Sequence, residues 1–260
     1  MLSVKNITFK IHDKILLDDV SVIFEPGKLN LIIGPNGAGK STLIKALCNQ
    51  ITPLSGSISL DGKDIKSYSP PELGRIRSVL SQNIDLVFPL KVWEVVMMGR
   101  YPHFIIKPTK RDEQICEDAM QFFDVSEFGD RNYMTLSGGE KQRVHFARVM
   151  AQIWDPVKNS CRYLIMDEPL TFLDIYYQFQ FMHKVEEILL AGDIVVIGVV
   201  HDLNLAARFA DKIVLINNGK ILAQGANDDV LTLSNIKTAY QLTPIIIENK
   251  KTGSVNLFFD

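Results

Sequence analysis

The chain has 260 residues, of which 47% are hydrophobic and 22% are charged, a composition typical of a globular protein. This composition excludes a disordered chain, a collagen and a disulfide scaffold. With 28 Lys and Arg against 30 Asp and Glu, the net charge is −2, so we expect no nucleic-acid partner held by bulk charge. The three cysteines form no CxxC pair, and no basic segment followed by an apolar run opens the chain. We therefore expect a reducing compartment and no signal peptide.

The first part of the chain has the patterns of strands and turns. Alternating or β-branched stretches are typical of strands, and a short apolar run that ends in glycine is typical of a buried parallel strand. Beyond that glycine, Leu43, Ile44 and Leu47 fall at helical spacing. The expected elements are strands at 4–11 and 19–24, a turn at 25–27, a strand at 29–33 and a helix from 41.

The middle of the chain, about 85–153, has long helical patterns and few β-branched runs. Short apolar runs followed by polar residues return at 163–166 and 194–200, and the tail at 245–259 predicts a hairpin. Strands that alternate with helices at this spacing favour a mostly parallel sheet, so we predict an α/β fold with a helical insertion. The predicted extents are one domain, 1–260, with a core at 1–84 and 161–260 and a helical subdomain at 85–160.

A glycine-rich segment follows the strand at 29–33 and matches G-x-x-x-x-G-K-[ST]. Glycines let backbone N–H groups approach phosphate oxygens, and the helix that follows presents a partial positive charge to the same anion. Lys40 can reach the β- and γ-phosphates of a nucleotide, and the Ser41 hydroxyl can bind Mg²⁺. The predicted phosphate loop consists of Gly34, Pro35, Asn36, Gly37, Ala38, Gly39, Lys40, Ser41 and Thr42.

Two acidic residues follow the apolar run at 163–166. A buried strand there would deliver Asp167 to a Mg²⁺ ion beside the phosphates. Glu168, one residue further on, could then polarise a water molecule in line with the γ-phosphate. An apolar strand capped by acids is also a common solvated strand end, and only the phosphate loop favours the catalytic interpretation.

A second helix start stands at Leu136, Ser137, Gly138, Gly139 and Glu140. Ser137 with Glu140 three residues later is a capping box, which needs no functional explanation. A glycine-flanked helix start with a free serine hydroxyl is also a possible anion site. Both interpretations stay open from the residues alone.

Taken together, these segments resemble the ATP-binding subunit of an ABC transporter, and the resemblance covers essentially the whole chain. The segment 34–42 resembles the Walker A sequence of that family, 163–168 its Walker B and 136–143 its signature sequence. Gln82 resembles the Q-loop glutamine and Leu173-Asp174 the D-loop, while His201 is similar to the switch histidine. The order and spacing of all these segments are those of the family.

The resemblance implies a P-loop NTPase cassette with a RecA-like, mostly parallel core, antiparallel strands at the N-terminus and an inserted helical subdomain. It implies ATP hydrolysis with Glu168 as general base and His201 at the γ-phosphate. Ser41, Gln82 and Asp167 would surround Mg²⁺. The signature of a second copy would complete each site in a head-to-tail dimer, and an N-terminal aromatic would stack on adenine, for which Phe9 and His12 are the candidates.

The family commonly has small residues where this chain has Leu170 and Phe172, next to the seam between the two copies. The segment 99–103 resembles ATPases for iron chelates, vitamin B12 and haem, and the segments 147–154 and 201–208 most resemble the haemin-import members. His103 is expected to be structural or interfacial rather than a haem ligand.

The resemblance thus implies an energy-coupling ATPase on the cytoplasmic face of the inner membrane, attached to a dimeric permease and, indirectly, to a periplasmic binding protein. The open alternatives are a ferric-siderophore or vitamin B12 importer and a non-transport relative acting on DNA or ribosomes. The DNA-associated relatives carry long coiled coils and the ribosome-associated ones two cassettes, and neither pattern is visible here. A small-molecule kinase could share the phosphate loop but would not need 136–140 or His201.

Overall fold

The computed structural model describes residues 1–81, 86, 88–171, 173–248 and 255–259. The strands are β1 Leu2–Ile11, β2 Lys14–Phe24, β3 Lys28–Ile33, β4 Ser55–Leu60, β5 Lys63–Asp64, β6 Arg77–Leu80, β7 Arg162–Asp167, β8 Ile194–Val199, β9 Lys212–Asn217, β10 Lys220–Gly225, β11 Ile245–Glu248 and β12 Val255–Phe258. The α-helices are α1 Lys40–Leu47, α2 Pro70–Ile76, α3 Val92–Met97, α4 Lys110–Phe122, α5 Gly138–Gln152, α6 Ile175–Leu189, α7 Leu203–Phe209, α8 Asn227–Val230 and α9 Leu233–Tyr240. Short 3₁₀ segments lie at Ile65–Ser67, Met98–His103, Ser126–Phe128 and Tyr133–Thr135.

The chain divides into two compact units. The first contains Met1–Ser67 and Glu186–Asp260, and the second contains Tyr68–Val185. The helical insertion predicted at 85–160 falls inside the second unit, and the predicted extents of core and subdomain stay a prediction.

An antiparallel sheet opens the first unit, with strand order β2-β1-β4-β5. Its β1 pairs with β2 in a register that sets Val4 opposite Val22. Leu2 and Val4 of β1 lie two residues apart, so their side chains point to the same face, and both are buried. Ile7, which follows a shift in the register, is buried as well. The expected antiparallel strands at the N-terminus are therefore present.

The first unit also contains the order β10-β9-β3-β8, in which β3 runs parallel to both β8 and β9. The side chains of β8 are all buried, as are those of β3 after its first residue, as expected of strands covered on both faces. Since Ile32 pairs with Val199, β3 and β8 end at the same edge. Ligands of open α/β sheets bind at such edges, so the loops that follow β3 and β8 are the natural place for a site.

The second unit combines the parallel pair β6 and β7 with the helices α2 to α5 and most of α6. Its core includes Phe146 of α5 and Phe181 of α6, whose rings stack with centroids 3.8 Å apart. This combination of parallel strands and packed helices confirms the predicted α/β class.

The segment Gly99–His103 is a structural brace within the second unit. Gly99 has no room for a side chain, because a Cβ there would lie 2.2 Å from the carbonyl oxygen of Arg148. The buried Arg100 pairs with Asp112 at 2.9 Å and donates to the carbonyl of Ala151. His103 donates to the carbonyl of Gln152 through Nε2, at 2.7 Å, which fits the structural role expected for this histidine.

The strands β11 and β12 pair antiparallel and confirm the predicted terminal hairpin. The side-chain amide of Asn204 in α7 holds this hairpin through both the N–H and the carbonyl of Leu257. Over the described ranges, no helix combines the length and the apolar character needed to cross a membrane.

Candidate functional site

The predicted phosphate loop lies between β3 and α1, where a strand leads into a helix. Gly34, Gly37 and Gly39 have positive φ of 148°, 76° and 111°. A Cβ on Gly34 would lie 2.2 Å from the carbonyl oxygen of Ile216, and one on Gly39 would lie 2.7 Å from that of Leu16. The loop therefore needs glycine for its backbone angles and for its close approach to β9 and β2.

Lys40 is buried at the first position of α1 and points back over the loop. Its Nζ donates to the carbonyl oxygens of Gly34 and Pro35, at 2.7 and 2.9 Å. The first turn of α1 carries no acidic residue, so the partial positive charge of the helix N-terminus is not neutralised locally. A lysine and a helix start with exposed Ser41 beside it form a cationic cradle suited to phosphate.

Two contacts that the sequence did not indicate support this loop from behind. The N–H of Gly219, in the turn between β9 and β10, donates to the carbonyl of Ala38 at 2.8 Å. Tyr240, the last residue of α9, accepts a hydrogen bond from the N–H of Gly34, and burial raises the pKa of its hydroxyl to about 12. The C-terminal helix thus contacts the first glycine of the loop, although 206 positions separate the two residues.

The predicted switch histidine lies at the same edge of the first unit as the phosphate loop. His201 follows β8, and the N–H of the preceding Val200 donates to the carbonyl of Ile32 at the end of β3. Asp202 caps α7 by accepting from the N–H groups of Asn204 and Leu205, at 2.7 and 3.1 Å. His201 is exposed on this fixed corner, where a side chain can contact a bound ligand.

The adenine candidates lie on the hairpin of β1 and β2. Phe9 is half-buried and pairs with Leu17, while His12 is exposed in the turn at φ 52°. The neighbouring Leu16 and Leu17 back onto Gly39, so the hairpin passes beside the phosphate loop. The assignment of adenine stacking to Phe9 or His12 stays a prediction.

In the second unit, the acidic pair stands where predicted, at the carboxyl end of β7. Asp167 is the last residue of the strand, and Glu168 follows with a φ of 53°. A positive φ is uncommon for a residue other than glycine and concentrates at functional sites. Gln82, predicted as a Mg²⁺ ligand, lies outside the described residues.

The segment after Glu168 is held by side chains rather than by regular secondary structure. The buried Gln142 of α5 donates to the carbonyl of Pro169 at 2.7 Å, and Gln178 of α6 donates to that of Leu173 at 3.0 Å. Leu170 is buried, so its bulk fills the interior of this unit, while Asp174 is exposed. Phe172, the other departure from the family pattern, lies outside the described residues.

The signature segment opens α5 with the predicted capping box. Ser137 Oγ accepts from the N–H of Glu140 at 3.3 Å, and Glu140 Oε2 accepts from the N–H of Ser137 at 2.7 Å. The anion-site interpretation supposed a free hydroxyl, but the Ser137 hydroxyl is hydrogen-bonded to Glu140. Hydrogen bonds from the backbone and the side chain of Ser137 lower the pKa of the Glu140 carboxyl. Ser137 and Gly138 are exposed, whereas Leu136 is buried.

The candidate residues therefore form two groups, one in each unit. The first unit brings the phosphate loop and His201 to one sheet edge. The second unit joins the acidic pair to the signature helix through Gln142. Among the described residues, no group of three or more His, Cys, Asp and Glu side chains is placed to hold a metal ion.

Comparison with known proteins leads to the same family as the resemblance found in the sequence. Residues 17–171 match the profile of the family described as ABC transporter. The hemin import ATP-binding protein HmuV of Gloeobacter violaceus is 42% identical over 97% of this chain and 92% of its own length. The protein of the same name from Escherichia coli O157:H7 is 36% identical, with 100% of both chains covered.

Solved structures show the same fold at lower identity. A metal-chelate type ABC transporter in an inward-facing conformation superposes with a TM-score of 0.83 at 23% identity, covering 100% of this chain and 96% of its own. The dimeric structure of a bacterial ABC transporter cassette gives 0.75 at 22% identity, covering 87% and 99%. The chain belongs to the ABC transporter family and has the fold of its ATP-binding cassette. The resemblance stated from the sequence is confirmed, both for the ABC transporter family and for the hemin import proteins as relatives.

Proposed function

We propose that the chain is the ATP-hydrolysing, energy-coupling subunit of an importer whose cargo is haemin. The observation that carries the ATPase assignment is the phosphate loop, in which glycines of positive φ and a buried lysine surround the start of α1. The names of the relatives supply the cargo, because hemin import proteins match this chain over nearly its full length.

The phosphate loop would bind the β- and γ-phosphates of ATP. Lys40 exchanges its bonds to the carbonyls of Gly34 and Pro35 for charge-assisted bonds to phosphate oxygens, which are about twice as strong as neutral ones. The N-terminal N–H groups of α1 point at the same anion. Phe9 or His12 would contact the adenine.

Mg²⁺ would be held by the Ser41 hydroxyl and the Asp167 carboxylate, with Gln82 as a further ligand. Both described side chains offer the hard oxygen donors that Mg²⁺ prefers, and this ion commonly takes one or two protein ligands together with phosphates and water. When bound, it would neutralise charge on the phosphate oxygens.

Glu168 would act as the general base that takes a proton from the attacking water. His201, exposed just after β8, would donate a hydrogen bond to a γ-phosphate oxygen. This bond would hold the γ-phosphate in line with the attacking water. General bases work from hydrogen-bonding distance of the proton they accept, so this role demands that Glu168 be fixed in place.

Each site would be completed by a second copy, in a head-to-tail dimer. The exposed Ser137 and the first N–H groups of α5 would bind the γ-phosphate that the partner's loop holds, with Leu136, Gly138, Gly139 and Glu140 shaping that helix start and Asp174 at the seam. One chain carries two anion-binding helix starts because each serves a different nucleotide. ATP would therefore favour the closed pair, and hydrolysis would release it.

The membrane partner would be a dimeric permease, with a periplasmic binding protein acting on its far side. The chain would then be a peripheral subunit on the cytoplasmic face of the inner membrane. The helical part of the second unit would transmit closure to the permease. A ferric-siderophore or vitamin B12 importer is the second candidate, favoured by the fold match to a metal-chelate transporter.

The test deletes this gene in the source organism and measures growth that depends on uptake of haemin, of a ferric siderophore or of vitamin B12. Of these three, only growth on haemin should be restored by the wild-type gene. The Glu168→Gln variant should restore no growth while still binding ATP. Restored growth on the siderophore or vitamin B12 instead of haemin would reassign the cargo. Restored growth with Glu168→Gln would remove Glu168 from the catalytic role.

A further inference from the structure

The bond between Gln142 and Pro169 links the signature helix to the backbone that carries the predicted general base. The Gln142 residue is 9% exposed, and its Nε2 donates to the Pro169 carbonyl at 2.7 Å. Pro169 follows Glu168 directly. A proline carbonyl can only accept, so the amide nitrogen of Gln142 is fixed as the donor.

The backbone held in this way has a conformation that it would not keep alone. Glu168 has a φ of 53°, and residues with such angles persist where the surroundings over-determine them. Thr171 Oγ1 donates to the carbonyl of Glu168 at 3.1 Å, but this contact is local. Gln178 holds the carbonyls of Leu170 and Leu173 from α6. Among these donors, Gln142 alone comes from α5.

The helix that carries Gln142 is itself held in place by contacts with other segments of the second unit. Phe146, one turn further along α5, stacks on Phe181 of α6 at 3.8 Å. Arg143 places its guanidinium 5.0 Å from the ring centroid of Tyr177 and donates to the carbonyl of Asp124. Gln142 therefore acts from a rigid support, and a shift of the first turns of α5 would reach Pro169 through one short bond.

We propose that Gln142 is a positioning residue that holds Glu168 in its reacting geometry and ties that geometry to the signature helix. This inference rests on the proposed role of Glu168. Gln142 does not contact the nucleotide; it acts through the backbone of residues 168 and 169. If the Gln142 amide only provided a hydrogen-bond donor for the buried Pro169 carbonyl, it would contribute to stability and leave the rate of the chemical step unchanged.

The experiment compares Gln142→Met with Gln152→Met in the full chain. Methionine keeps the length of the side chain and removes the donor. Gln152 is the matched control, because it lies on the same helix and donates to two carbonyls, of Gly74 and Arg77, away from Glu168. Gln142→Met should lower kcat at least about tenfold, with the affinity for ATP within about twofold of wild type, since misplaced catalytic groups lose rate rather than binding. Gln152→Met should keep kcat within about threefold.

A double variant separates positioning from stability. In the Glu168→Gln background, Gln142→Met should cause no further loss of single-turnover rate, because both changes remove the same function. A second multiplicative loss there would contradict the proposal, as would a wild-type kcat in a folded Gln142→Met variant. If Gln142→Met does not fold, Gln142→Asn, whose shorter amide falls short of Pro169, must show the same split between kcat and affinity.

These outcomes are distinct from those of the proposed function. Wild-type turnover in Glu168→Gln would overturn the catalytic assignment itself. An inactive Glu168→Gln together with a fully active Gln142→Met would overturn only the inference about Gln142.

Discussion

At the scale of the residue, Lys40 shows how the predicted phosphate loop holds a buried cation. Its ammonium group is buried and bonded to the carbonyls of Gly34 and Pro35. A buried charge needs such partners, since without them its desolvation would be very costly. Phosphate oxygens can take the place of those carbonyls, so binding exchanges neutral acceptors for charged ones.

Lys40→Ala should therefore weaken ATP binding by about 10- to 100-fold, the loss expected for one hydrogen bond to a charged group. Lys45→Ala is the matched control, because Lys45 lies exposed on the same helix. Isothermal titration calorimetry with both variants measures the difference. Equal affinities for Lys40→Ala and wild type would count against the phosphate loop.

At the scale of the element, the signature helix rests on a buried, uncharged pair. The Tyr133 hydroxyl lies 2.7 Å from Nε2 of His145, and both side chains are buried. Burial, with smaller contributions from Arg148 and Lys141, lowers the pKa of His145 to about 3. The 3₁₀ segment Tyr133–Thr135 leads directly into the signature, so this pair fixes the approach to Ser137.

This histidine predicts a stability that depends on pH. Between pH 6.5 and 3 the unfolded chain binds a proton at His145 and the folded chain does not, so the free energy of unfolding falls as the pH falls, by about 1.4 kcal/mol per unit. His145→Phe should remove about 2 kcal/mol of the difference between pH 7 and pH 5. Urea unfolding at the two pH values tests this. An identical pH dependence in the variant would contradict it.

The sequence predicted the elements of the site well because each has a local signal. An apolar run predicted β3, glycines and Lys40 predicted the turn into α1, and Ser137 with Glu140 predicted the start of α5. Local signals do not encode partners far along the chain. The contacts of Tyr240 with Gly34 and of Gln142 with Pro169 depend on the fold, so sequence patterns could not indicate them.

Two further features show the same limit. The positive φ of Glu168 has no signal in a stretch that lacks glycine. The capping bond of the Ser137 hydroxyl was one of two alternatives that the sequence left open, and it is formed in the folded chain.

At the scale of the whole molecule, the proposed function treats the two groups of candidate residues as two half-sites. A phosphate loop and a signature helix start both suit an anion, and a single γ-phosphate accounts for both if two copies meet head to tail. The transport role proposed for this chain rests on the relatives named for hemin import.

The most direct test of this account is the mass of the Glu168→Gln variant in solution, measured by light scattering with and without ATP and Mg²⁺. We predict one chain without nucleotide and twice that mass with ATP, and we predict that adding Ser137→Arg to the same variant leaves ATP bound to a single chain. A Glu168→Gln chain that stays monomeric at saturating ATP, or a Ser137→Arg double variant that still pairs, would contradict the account.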